Sequence, residues 1–270
     1  MTHGLNNMDK SEHAFYANEL FEAERNRAPI PPITERASSF GVKDAYAVQI
    51  MNIAKAFSIG YTASGKKIGL TSAAIQRQFG VNEPDYGHLF AAMECIDGVV
   101  YMDGLIQPKI EAELAFILKK DLYGGRVTAE EAEDATEYIT AAFEIVDSRI
   151  EGWRIKLADT IADNASSGRY ILGGDMAAPK NIDFRSVSMK LYKVEEDRSL
   201  FICDGTGAAV MGDPRLSVAW LANKLHEYGG GLRAGEVVLS GAFSAAPAVR
   251  AGDTFMAYFS DIGKVEASFV

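Results

Sequence analysis

The chain has two textures. Up to about residue 60 apolar positions recur at helical spacing, and from Gly65 onward short apolar runs are separated by glycine turns. Residues 11 to 27 are charged and helix-prone, with Phe15, Leu20 and Phe21 on one face; Pro29, Pro31 and Pro32 stop that helix. Val42, Tyr46, Ile50 (or Gln49), Ile53 and Phe57 mark a second helix, which Gly60 ends. Strands are expected at Lys66 to Leu70, Gly98 to Tyr101, Val187 to Val194, Glu236 to Ser240, Thr254 to Phe259 and Lys264 to Phe269. Asp261-Ile262-Gly263 reads as a turn. Thr128-Ala129-Glu130-Glu131 is a capping box that opens a helix over 129–140. Asp213-Pro214 caps a further helix over 215–228, ended by Gly229. The fold class that follows is α+β: a helical N-terminal cap, residues 1–62, on a β-rich domain, residues 63–270.

One strand breaks the apolar pattern. In Lys109-Ile110-Glu111-Ala112-Glu113-Leu114-Ala115-Phe116, apolar residues fill one face and Glu111 and Glu113 share the other. Residues two apart on a strand face are roughly 6.5–7 Å apart at the backbone, close enough for both carboxylates to converge on one cation. Glu144 repeats the situation within Ala141-Ala142-Phe143-Glu144-Ile145-Val146. Three acids in two apolar strands suit a hard cation such as Mg²⁺ or Mn²⁺. The same acids would also suit a solvated strand face.

Composition narrows the field. The 270 residues are 48% hydrophobic, enough for a sizeable interior, and the net charge of −10 comes without a basic stripe, which argues against nucleic acid. No run approaches a membrane span and the first residues lack signal-peptide character, so a cytoplasmic protein is expected. Cys95 and Cys203 have no Cys or His at metal-ligand spacing and read as core thiols. Of the histidines His3, His13, His88 and His226, two lie near the start, which leaves little for histidine-based catalysis.

Other stretches carry candidate chemistry. Lys66 and Lys67 enter an apolar strand, where a buried ammonium would balance carboxylates and exchange a proton. Asn82 to Gly87 reads as a turn, with Asp85 as its cap. Asp159 to Gly168 is dense in small polar groups that would line a pocket or satisfy the loop's own backbone.

Five of these segments, in order, carry a resemblance: Asp44-Ala45-Tyr46-Ala47-Val48-Gln49, Lys67-Ile68-Gly69-Leu70-Thr71-Ser72, Ile110-Glu111-Ala112-Glu113, Glu144-Ile145-Val146-Asp147-Ser148-Arg149 and Ala162-Asp163-Asn164-Ala165-Ser166. From about residue 9 to 270 the chain resembles the 2-hydroxypentadienoate (2-keto-4-pentenoate) hydratase and 4-oxalocrotonate decarboxylase group of the fumarylacetoacetate hydrolase superfamily. The resemblance implies a mixed β-roll under the cap and Mg²⁺ or Mn²⁺ on Glu111, Glu113 and Glu144. It further implies a small 2-oxo or 2-hydroxy acid substrate, Lys67 and Asp85 as proton-handling residues, and Leu70, Thr71, Asn164 and Ser166 around the substrate. It implies a homo-oligomer, with the cognate decarboxylase or hydratase as a further partner. Asp85 follows the hydratase pattern, whereas Ser166-Ser167-Gly168-Arg169 and Ala245-Ala246-Pro247 lean towards the decarboxylases. A carbon–carbon hydrolase and a non-catalytic subunit are the further alternatives. One departure stands out: the family usually has Gly-His-Pro or a near variant where this chain has Gly212-Asp213-Pro214.

Overall fold

A computed structural model describes residues 8–196 and 198–270; His3 lies outside them. Helices are α1 (Lys10–Asn26), α2 (Ile33–Arg36), α3 (Val42–Ser58), α4 (Ala73–Phe79), α5 (Ala129–Ala135), α6 (Leu157–Ala162) and α7 (Pro214–His226). Strands are β1 (Ala63–Gly69), β2 (Asp85–Phe90), β3 (Val99–Val100), β4 (Lys109–Leu118), β5 (Thr136–Val146), β6 (Ser167–Leu172), β7 (Ser188–Glu195), β8 (Arg198–Thr206), β9 (Val237–Leu239), β10 (Thr254–Phe259) and β11 (Gly263–Phe269).

The strands form two mixed sheets, ordered β2-β1-β9-β4-β5-β6 and β3-β11-β10-β7-β8. In the first, only β1 and β9 run parallel; β4 and β5 form a long antiparallel pair that sets Glu111 opposite Glu144. One apolar core joins the faces of both sheets, with Ile110, Leu114 and Phe116 of β4 beside Phe255, Ala257 and Phe269. Ala17 and Leu20 of α1 and Ala45 and Val48 of α3 belong to that same core. This α+β arrangement is the architecture that the apolar pattern and the resemblance call for.

Local rules explain most element ends. Asp9 caps α1 reciprocally with Glu12, Thr128 caps α5 with Glu131, and Asp213 caps α7 ahead of Pro214. Two expectations are corrected. The helix read over 129–140 stops at Ala135, because Thr136, Tyr138, Ile139 and Thr140 favour an extended chain and pair with β4. The turn read over 82–87 ends earlier: Asp85 opens β2, pairing with Gly69 of β1.

Asp213 stands where the resemblance calls for histidine, and its carboxylate is fully engaged. It accepts from the Arg215 amide at 2.9 Å and pairs with the Arg215 guanidinium at 2.6 Å; that guanidinium also reaches Glu133 of α5 at 2.6 Å. Asp213 therefore caps a helix and steadies Arg215, which ties α7 to α5. Among the described residues no helix is long and apolar enough to cross a membrane.

Candidate metal centre and active site

The site forms where the first sheet opens. β9 pairs with both β1 and β4 over three residues and ends at Leu239, and beyond that point no ladder among the described residues links the two strands. Their inward side chains fill the gap: Lys67 from β1, Glu111 and Glu113 from β4, and Glu144 from β5.

One oxygen from each of Glu111, Glu113 and Glu144 lies within 4.8 Å of the others. Glu113 and Glu144 are fully buried and Glu111 lies at the open side. Glu113 Oε2 accepts from the Gly241 amide at 2.7 Å, while Glu113 Oε1 and both Glu144 oxygens have no hydrogen-bond partner. Gly241 (φ 109°) is required there, since a Cβ would lie 2.4 Å from Thr71 Oγ1. Burial pushes all three carboxyls above their ordinary range, Glu144 to about 8; repulsion from neighbouring glutamates adds to this for Glu113 and Glu144, and repulsion from Asp85 for Glu111. Buried carboxylate oxygens without partners, converging as an all-oxygen set, fit a hard divalent cation.

Lys67 answers part of that charge. Its Nζ is 3.1 Å from Glu144 Oε2, an ion pair lacking hydrogen-bond alignment. Burial opposes its charge, yet Glu144, Glu111 and Asp85 outweigh burial and raise its pKa. Lys66, one residue earlier, points to the other face and pairs with Glu236 at 2.8 Å.

Asp85 completes the constellation. Its Oδ2 accepts from Thr160 Oγ1 at 3.3 Å and its Oδ1 is buried without a partner. A Cβ on Gly69 would lie 2.2 Å from that Oδ1 and 3.5 Å from Lys67 Nζ, so a glycine lets acid and ammonium meet over β1. Burial raises the Asp85 pKa and Lys67 pulls it down, leaving it above the usual range. Gln49 of α3 braces the same place: its amide donates to Tyr86 O at 2.9 Å and Ile161 O at 3.0 Å, each one residue beyond Asp85 and Thr160.

The remaining expected positions surround this group. Leu70 (φ 56°) follows β1 in a left-handed conformation, and buried Thr71 packs against Gly241. Asn164, Ala165 and Ser166 are three consecutive left-handed residues beside β2. The Asn164 amide is engaged with the His88 backbone, accepting from its N–H at 2.8 Å and donating to its carbonyl at 2.9 Å. Ser166 Oγ is 3.4 Å from Asp163 Oδ2, within a buried network centred on the Arg149 and Asp163 pair. His88 alternates with Asp85 and Gly87 along β2 and so faces away from the site; His13 pairs with Asp44 at 2.8 Å, and His226 is exposed at the end of α7. Thr160, Gly241 and the bracing role of Gln49 were not legible, although Gln49 and Thr160 lie in stretches that composition or resemblance singled out.

A three-carboxylate centre at the opening of a mixed sheet, with a lysine and an aspartic acid beside it, defines a metal-site protein of the fumarylacetoacetate hydrolase architecture. The model for the fumarylacetoacetate (FAA) hydrolase C-terminal family matches residues 88–270. The chain is 41% identical over 254 residues to 2-keto-4-pentenoate hydratase of Paraburkholderia xenovorans, covering 94% of this chain and 93% of the relative. It is 40% identical over 253 residues to 2-hydroxyhexa-2,4-dienoate hydratase of Comamonas testosteroni, covering 93% and 94%. The structure of 4-oxalocrotonate decarboxylase from Pseudomonas putida G7, complexed with magnesium and adipate, superposes with a TM-score of 0.93 at 34% identity, covering 98% and 99%. The chain belongs to the 2-keto-4-pentenoate hydratase and 4-oxalocrotonate decarboxylase family of the fumarylacetoacetate hydrolase superfamily.

Proposed function

We propose that this chain is a divalent-metal-dependent hydratase that adds water to 2-hydroxypenta-2,4-dienoate or a close analogue, giving a 2-oxo-4-hydroxy acid. The observation that carries this reading is the placement of Asp85: a buried carboxyl with a free oxygen, beside Lys67 and facing the three-glutamate centre. Full-length likeness to hydratases at about two-fifths identity supports it.

In this reading Glu111, Glu113 and Glu144 hold Mg²⁺ or Mn²⁺. The chemistry such a cation supplies is attraction for the acid's carboxylate and C2 oxygen and stabilisation of negative charge on that oxygen. The 2-hydroxyl gives its proton to solvent, and the Lys67 ammonium, fixed by Glu144, stabilises the oxygen left behind. Asp85, whose pKa burial raises above the usual range, delivers a proton to C5, which leaves a double bond between C3 and C4 conjugated to the new ketone. The Asp85 carboxylate then draws a proton from water as the oxygen adds to C4, and the Lys67 ammonium gives a proton to C3 and is restored by the one that the 2-hydroxyl released; one water is gained overall. Leu70 and Thr71 on one side, and Asn164 and Ser166 on the other, form the walls that seat the acid and the water. Gln49 and Thr160 hold Asp85 in place.

The alternative is decarboxylation of 4-oxalocrotonate, favoured by the superposition on a decarboxylase at a TM-score of 0.93. It needs the same charge stabilisation and no water. Assay of freshly generated dienoate in chelator, and again after Mg²⁺ or Mn²⁺ is restored, tests the hydratase reading: turnover returns only with metal. A homo-oligomer in the cytoplasm, alone or with the cognate decarboxylase, belongs to the same proposal, and light scattering of the purified protein tests its size.

A further inference from the structure

Asn164, Ala165 and Ser166 have φ of 54°, 50° and 54°, a left-handed run without a glycine. L side chains resist that conformation, so the surrounding structure has to impose it. The group that does so is Arg149, which lies just past β5 and is buried. Its guanidinium is spent on backbone: Nη1 donates to Asp147 O and to Ser167 O, each at 2.7 Å, and Nη2 donates to Asp163 O at 2.6 Å. Asp163 and Ser167 are the residues on either side of the left-handed run. Nε donates to Asp163 Oδ1 at 2.5 Å, and Asp163 Oδ2 accepts from the Arg149 amide at 3.0 Å.

This grip reaches the site from two directions. The Asp147 amide donates to Ser166 O at 2.8 Å, which ties the run to the end of β5, three residues beyond Glu144. On the other side Asn164 holds the His88 backbone, and its carbonyl lies so close to β2 that a Cβ on Gly87 would come within 2.3 Å of it. Gly87 shares its face of β2 with Asp85. The run is therefore clamped between the strand of Glu144 and the strand of Asp85. A planar guanidinium addresses three carbonyls and a carboxylate at once; an ammonium on a flexible stem lacks that fixed fork.

We propose that Arg149 is a positioning residue, which holds Asn164 to Ser166 in their left-handed form and so fixes the wall against which the acid is seated. This deepens the proposed function and rests on its placing of Asn164 and Ser166 beside the acid.

Calorimetric titration of the Mg²⁺-supplemented protein with 2-oxopentanoate, a saturated five-carbon acid that fills the seat without being hydrated, tests this. Arg149→Lys keeps a cation beside Asp163 and loses the fork. Affinity should fall by about tenfold, the scale set by one strained residue released from its conformation. Mn²⁺ affinity, read by electron paramagnetic resonance, should hold, because the β4 and β5 ladder places the glutamates. Ala165→Gly, added to Arg149→Lys, should recover most of the loss, since glycine takes positive φ unaided. If circular dichroism shows that Arg149→Lys does not fold, Asp163→Asn takes its place, with the same loss and the same recovery expected. Unchanged affinity in the folded variant, or a loss that Ala165→Gly leaves uncorrected, makes Arg149 a core residue only and overturns the inference while the proposed function stands. Failure of the unaltered protein to bind 2-oxopentanoate overturns the proposed seat itself, and the inference with it.

Discussion

Lys67 Nζ lies 3.1 Å from Glu144 Oε2 in a fully buried pair, although the strands that carry them, β1 and β5, are separated in the sheet by β9 and β4. The short β9 makes this possible by ending before the glutamates, which lets a lysine reach across. One cation faces three carboxylates there, so the centre carries a charge deficit that a divalent ion would satisfy.

Lys67→Met separates metal binding from proton handling. Removing the ammonium takes away a competitor for the carboxylates, so Mn²⁺ affinity, read by electron paramagnetic resonance, should hold or tighten. Hydration should fall by about 10²–10⁴-fold, the usual range for a lost acid–base group. Weakened Mn²⁺ binding would recast Lys67 as a structural support of the centre.

Glu113→Gln removes one ligand and one buried acid. Mn²⁺ affinity should drop by at least an order of magnitude, since about 10-fold follows even from lost supporting contacts. The metal-free variant should melt no lower than the unaltered protein, because it no longer buries a carboxyl whose pKa is raised well above the ordinary value. Differential scanning calorimetry in chelator checks the second half.

The carboxyl shifts set a pH dependence. Burial raises the Glu144 pKa from 4.5 to about 8. A group with a raised folded-state pKa contributes stability that is complete below its unfolded value and is lost as pH rises through the folded one. The metal-free protein should therefore lose stability between about pH 5 and 9 through this group, and Mg²⁺ should restore it most at the alkaline end. Urea unfolding at pH 6 and pH 9, with chelator or with Mg²⁺, reads this; a metal-free protein more stable at pH 9 would contradict it.

Gln49→Met keeps the volume of a fully buried side chain but deletes the amide that donates to Tyr86 O and Ile161 O. About 1–3 kcal/mol of stability should be lost with those two hydrogen bonds. In the folded protein kcat should fall while Mn²⁺ affinity holds, because the Asp85 and Thr160 contact loses its brace. Thr160→Val and Gln49→Met should then be non-additive in a double-mutant cycle on kcat; additivity would place Gln49 in the core alone.

The glutamate strand was legible because an acid at every second position of an apolar strand leaves few places for its charge. Glu144 was legible for the same reason, and the β4 and β5 register sets it directly opposite Glu111. The strand pattern did not choose between Lys66 and Lys67, which only the resemblance separated, since adjacent residues on a strand look alike until it is known which face is inside. Asp85 was read as a turn cap because its neighbours Asn82, Pro84 and Gly87 favour turns, whereas pairing with β1 decides its structure. The helix over 129–140 was overlong because its capping box identifies a start and nothing in the apolar spacing identifies the end. Gly241 could not be singled out: its role depends on Thr71 and Glu113, which are distant in sequence.

The most direct test of the central claim is the product formed from each of two substrates by metal-loaded protein. Freshly generated 2-hydroxypenta-2,4-dienoate in ¹⁸O-labelled water should yield a product heavier by one labelled water, with the label at C4 and no reaction in chelator. Carbon dioxide released from 4-oxalocrotonate, with no water gained by the dienoate, would contradict the account and make the protein a decarboxylase.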